Sequence, residues 1–149
     1  MQTNHSPSPQ GRRIPLWLKI SYTTFLAVLI PVYWTHYGPT NFLYFCDVAL
    51  LLTLAGIWKE DALLVSLPAV GILIPQALWC VDFLVQACGG KLTGMTGYMF
   101  DENRSLFLRG LSFFHGWLPF LLFYLVRRLG YEKRALLGWT VICTGLCLT

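Results

Sequence analysis

Asp47 and His115 stand out among the 149 residues of this chain because each ionisable side chain is embedded in an apolar run. The runs are Phe45-Cys46-Asp47-Val48-Ala49-Leu50 and Ser112-Phe113-Phe114-His115-Gly116-Trp117-Leu118-Pro119. An ionisable residue at the centre of a membrane span costs roughly 2.5–3.5 kcal/mol on insertion scales, so such residues tend to mark function. A carboxylate beside an imidazole can fix its tautomer and raise its basicity, as in acyl-transfer triads. The same pair can relay a proton across a membrane. The plainer alternative is an interhelical hydrogen bond that only locks a bundle, worth about 0.6 kcal/mol.

Depth along a helix, at about 1.5 Å per residue, decides which polar groups can meet. Asp47 lies about 20 Å above Glu60, His115 about 18 Å above Arg127 and Gln76 about 24 Å above Glu60. These three share one level, so Asp47 and His115 are expected within hydrogen-bond reach, directly or through a water, with Gln76 in support. Asp82 falls near 33 Å, roughly level with His36 and Asn41, and forms with them a second polar layer at the mouth. If His115 is a base it needs a nucleophile. Cys46 has the right depth but is adjacent to Asp47, and neighbouring helical residues point about 100° apart. Ser112, one turn from His115, is another candidate; Tyr44 and Thr53 are weaker. Pro119 frees the carbonyl of His115 and Pro75 that of Gly71, and a small hydrated pocket is expected beside His115. Arg109 is expected to snorkel to the outer surface.

The elements that must position these groups follow from hydropathy. The chain is 56% hydrophobic and 12% charged, against about 25% charged in soluble domains, and its apolar residues cluster in runs near the length of a bilayer core. An all-α, polytopic membrane helix bundle follows, with spans at about 16–34, 40–58, 62–87, 106–126 and 135–149. The third is expected to be broken by Pro68 and Pro75. The last is short for a bilayer and suggests a chain that continues in a longer protein. Residues 1–13, polar and rich in Ser and Pro, read as a disordered cytoplasmic tail in which His5 is inert.

Orientation follows from Lys and Arg. Arg12, Arg13, Lys19, Lys59, Arg127, Arg128, Lys133 and Arg134 fall on one side, eight of the eleven positive residues. The positive-inside rule puts that side and the N-terminus in the cytoplasm, and the 88–105 loop outside. The net charge of +4 is thereby accounted for without nucleic acid. Gly-Gly-Lys-Leu-Thr-Gly at 89–94 lacks the full phosphate-loop pattern and reads as a flexible outer loop. The five Cys residues contain no Cys-x-x-Cys pair and read as small apolar fillers. No His-x-x-x-His or Glu-x-x-His spacing suggests a metal, and no cofactor is implied.

Two of the segments quoted above carry a family resemblance. Phe45–Leu50 resembles the Leu-Cys-Asp-x-Ala segment of YwaF-like bacterial integral membrane proteins, and Ser112–Pro119 resembles their later helix carrying His-Gly. The broad group includes lipid acyltransferases and lipid-ester hydrolases that use a membrane Cys or Thr with a His. The resemblance implies an inner-membrane protein in which Cys46 is the nucleophile and His115 the base.

Three functions therefore compete. One is a non-enzymatic membrane protein, structural or binding a lipid or small molecule in an outward-opening polar pocket. Another is a lipid-directed acyltransferase or hydrolase using His115 with Cys46 or Ser112. The last is a proton-coupled transporter, or part of one, in which Asp47 and His115 relay protons.

Overall fold

The computed structural model describes residues 14–148; the expectations for the tail at 1–13 and for Thr149 lie outside the described residues. All regular elements among them are helical. Six α-helices follow one another: α1 (Leu16–Tyr37), α2 (Phe45–Lys59), α3 (Ala62–Ala87), α4 (Leu106–Ser112), α5 (Phe114–Leu129) and α6 (Ala135–Cys147). Single 3-10 turns at Pro39–Leu43 and Gly97–Met99 lie in the connections. Three helical stretches are long and apolar enough to cross a membrane: α1, α3, and α4 with α5 taken together as Leu106–Leu129.

α3 is the central element, packed against α2, α5 and α6. Its buried stripe, Val65, Ala69, Ile72, Gln76, Trp79 and Asp82, follows the three- and four-residue steps that keep one helix face inward. Asp61 caps its start by accepting the Leu64 N–H at 3.0 Å. Pro68 and Pro75 do not break it, contrary to expectation; α3 runs unbroken for 26 residues. Each proline removes one backbone bond, and packing of α3 on three neighbours keeps the axis continuous. α1 turns Tyr22, Leu26, Leu29 and Tyr33 inward, and α5 turns Phe114, Leu118, Leu122 and Leu125.

Two boundaries differ from the sequence reading. The second span was expected from residue 40, but Pro39 opens only a 3-10 turn, Tyr44 is extended, and α2 begins at Phe45. Asp47 is therefore in the first turn of α2, where a carboxylate meets the positive end of the helix dipole. The fourth span kinks at Phe113, whose ψ of −4° ends α4 and starts α5. His115 is the second residue after that kink.

Tight contacts fix the packing. A Cβ on Gly56 would come within 2.7 Å of Val65 Cγ1, so glycine lets α2 and α3 close into a hairpin at the Lys59–Asp61 turn. Lys19 Nζ pairs with Glu60 Oε1 at 2.7 Å, and the Glu132 N–H donates to Ser66 Oγ at 3.1 Å. These bonds gather the start of α1, the α2–α3 turn and the α5–α6 loop, which carry most of the positive charge, at one end. Arg134, 3.1 Å from Glu132 there, holds that carboxyl below its usual range. α6 rests on α3 through Trp139, whose indole lies against the backbone of Gly71. Outward faces are apolar: Ile74 is 80% exposed, Phe120 73% and Leu137 72%. Large apolar side chains turned outward on several helices mark a surface that meets lipid or another apolar partner.

Candidate functional site

At the end of the bundle opposite the positive cluster, the starts of α2 and α5, the middle of α3 and the 3-10 turn of the 88–105 loop enclose a cleft with two chambers. One, of about 380 Å³, is polar in part and is lined by Tyr33, Asn41, Asp47, Arg104 and Ser112 among others. The other, of about 320 Å³, is almost wholly apolar, with Phe45, Ile72, Pro75, Trp79 and Met95 around the amide of Gln76. Tyr44, Cys46, Tyr98 and His115 line both chambers and so stand at their junction.

Asp47 is 3% exposed. Its Oδ2 accepts from Asn41 Nδ2 at 3.1 Å, a bond the preceding 3-10 turn makes possible. Its Oδ1 is buried without a protein partner. Gln76, 2% exposed, has neither amide atom paired. Ser112 shares a 2.8 Å hydrogen bond with the Tyr33 hydroxyl, tying α4 to α1 across the chamber floor.

No direct Asp47–His115 hydrogen bond forms. His115 Nδ1 lies 2.8 Å from the Ser112 carbonyl. A carbonyl only accepts, so Nδ1 carries the proton and Nε2 is left with its lone pair. The ring is stacked on Phe114 (centroids 4.0 Å) and on Trp79 (5.4 Å). The backbone and two aromatic rings thus orient the imidazole, and the carboxylate faces the same cleft without touching it. The His115 carbonyl freed by Pro119 is reached by the Cys80 thiol of α3 at 3.8 Å, as is the Gly116 carbonyl at 3.9 Å, and the cavity expected beside His115 is present.

Other assignments change more. His36 is exposed, with Nδ1 donating to the Val32 carbonyl at 2.9 Å, and it lines neither chamber. Asp82 is fully buried but faces the loop rather than the cleft. Its Oδ1 accepts from Thr93 N (2.6 Å), Thr93 Oγ1 (2.8 Å) and Gly94 N (3.0 Å). Its Oδ2 accepts from Thr96 N (2.9 Å) and Thr96 Oγ1 (2.7 Å). The loop read as flexible is thereby fastened to α3. Arg109 does not snorkel freely: its guanidinium donates to the Met99 carbonyl at 3.0 Å and its Nε is buried. These bonds bring Tyr98 over the cleft, where its hydroxyl accepts from Trp79 Nε1 at 3.2 Å. Burial raises the Tyr98 phenol above its ordinary range, which keeps it neutral.

Trp79, Tyr98, Tyr33 and Arg104 escaped sequence reasoning. Trp79 had a signal, since it lies three residues after Gln76 and so on the same face of α3. Tyr98 and Arg104 had none, because a loop delivers them. Among the described residues no group of three or more His, Cys, Asp or Glu is placed to hold a metal ion. Comparison with protein-family models, with curated proteins and with solved structures returns no match.

Proposed function

We propose that this chain is a multi-pass membrane protein whose cleft binds an amphipathic small molecule. In this reading all five hydrophobic segments are embedded, α2 and α6 as short helices beside the three long ones. The observation that carries it is that two residues lining the cleft, Asp47 and Gln76, hold buried polar atoms, Oδ1 and the amide, that have no protein partner. Leaving such groups unsatisfied costs about 1–3 kcal/mol each, so they are kept for something that satisfies them. A polar chamber joined to an apolar one fits a molecule with a headgroup and a tail. The test is retention of lipid or amphiphile by the purified chain under native mass spectrometry. Gln76→Leu, which removes the amide and leaves an apolar side chain of similar size, is expected to weaken retention about tenfold; unchanged retention would remove the cleft from the reading.

The Lys/Arg asymmetry supports an N-terminus in the cytoplasm of a cell membrane. Fusion reporters are expected to put residues 59–61 and 127–134 inside and 88–105 outside, with the cleft toward the outer leaflet. A cytoplasmic signal from the 88–105 loop would reverse that orientation.

Acyl transfer is the second reading, favoured by one observation: Cys46 and His115 line both chambers, and the lone pair of His115 Nε2 is uncommitted. Here His115 would take the thiol proton as Cys46 Sγ attacks an ester carbonyl, and would return it to the departing alcohol. Labelling of Cys46 by an acyl-chain electrophile, lost on His115→Ala, is the expected signature; Cys46 labelling that ignores His115 would count against it.

A further inference from the structure

Resting on the binding reading above, we infer that the ligand carries an organic ammonium beside a phosphate, the phosphocholine or phosphoethanolamine pattern. The ammonium lies against Asp47 among tyrosine rings, the phosphate lies at Arg104, and the acyl part fills the apolar chamber. A buried carboxylate needs a counter-charge. The Asp47 carboxylate accepts one hydrogen bond, from the neutral amide of Asn41, and makes no ion pair among the described residues. A cationic ligand would let this carboxylate stay charged where it is. Asp47 is the only carboxylate lining the chamber, and no group of three or more His, Cys, Asp or Glu is placed for a metal among the described residues, whereas the chamber also carries Tyr33, Tyr37, Tyr44 and Tyr98. Tyr33 and Tyr37 stand edge to face at 5.3 Å, so their planes differ by nearly a right angle and present separate faces. Aromatic faces around a carboxylate suit an alkylated ammonium, which is attracted to ring quadrupoles and weakly hydrated.

Arg104 supplies the opposite sign. It lines the same chamber, and its guanidinium lies over the Tyr98 ring at 5.6 Å. It makes no ion pair among the described residues. A guanidinium within cation–π range of an aromatic ring still has N–H groups to donate to a phosphate. Below the headgroup, Gln76 can donate its unpartnered N–H to an ester carbonyl in a chamber otherwise apolar.

The experiment uses the full chain in non-ionic detergent, offered equal amounts of phosphatidylcholine and phosphatidylglycerol of matched acyl chains, with retention read by native mass spectrometry. Phosphatidylcholine is expected to be preferred about tenfold, and Asp47→Asn to abolish the preference without abolishing retention of lipid. Tyr98→Phe, which keeps the ring, is expected to preserve the preference, and Tyr98→Leu to reduce it. Arg104→Gln, at an exposed position that tolerates change, is expected to weaken phosphatidylcholine while leaving hexadecyltrimethylammonium bound. That variant carries the test if Asp47→Asn does not fold. Displacement of the lipid by soluble phosphocholine would assign the site to the free headgroup, and failure to displace would assign it to the lipid; both agree with the inference. Equal retention of the two lipids, or a preference that survives Asp47→Asn, overturns it while the binding reading stands. Retention of neither lipid nor hexadecyltrimethylammonium overturns the binding reading itself.

Discussion

Asp82→Ala is expected to lower the midpoint of thermal unfolding by roughly 10 °C and to open residues 88–105 to protease. One carboxylate accepts three backbone N–H groups and two hydroxyls from that loop. Removing it takes away the acceptor of five donors, of which the Thr96 hydroxyl alone has another at hand, Gln86 Oε1 at 2.9 Å, and Thr96 is fully enclosed. Losing a common acceptor costs more than losing a single bond, because every donor must find a new partner or stay unpaired. Asp82→Asn separates charge from shape. One oxygen survives, but its amide turns N–H groups toward N–H donors, so an intermediate loss is expected. Differential scanning fluorimetry in detergent, with mapping of the first protease cuts, reads both. Full stability in Asp82→Ala would mean that the loop has another anchor.

Gly71→Ala is expected to destabilise the fold by about 3 kcal/mol, through overpacking against a neighbour that cannot yield. A Cβ built on Gly71 would lie 1.8 Å from Trp139 Cε2 and 2.3 Å from its Nε1, inside any allowed contact. The indole itself is held, 7% exposed, with Phe45 at its edge 6.4 Å away. The consequence is separation of α6 from α3. Since the clash is with one side chain, the penalty of Gly71→Ala should vanish in a Trp139→Leu background, a non-additivity of at least about 1 kcal/mol in a double-mutant cycle. Additive losses would show that Gly71 is needed for its own backbone.

Much of the frame was legible because it rests on hydropathy. The bounds of α3, the start of α1 and the gathering of Lys19, Glu60 and the α5–α6 loop at one end are consequences of apolar run length and charge placement. Depth arithmetic also put Cys46 level with Asp47, Gln76 and His115, with Ser112 one turn away; all five line the cleft, and so does Asn41 from the layer expected at the mouth. Depth says nothing about azimuth, and there the sequence reading failed. His36 has the right height and faces outward, and His115 is turned to its own backbone rather than to Asp47. The breaks at Leu43–Tyr44 and at Phe113 were hidden because apolar composition continues through them. Asp82 was misassigned because its partners lie eleven to fourteen residues on, in a loop whose path local propensity does not dictate. An acid at a helix end followed by Thr-Gly-Met-Thr, a short run rich in backbone and hydroxyl donors, was the available hint.

The thiol that replaces the hydrogen bond lost to Pro119 also turns the cysteines into a graded set of chemical reporters. Cys88 and Cys147 are exposed, Cys46 and Cys143 are half-buried, and Cys80 is half-buried with its S–H directed at two carbonyls of α5. Alkylation of Cys80 must break these contacts, so its rate, set against that of the equally half-buried Cys143, reports how readily α3 and α5 part there, as amide exchange reports local unfolding. With the other three replaced, a single maleimide time course would follow the breathing of the central helix pair.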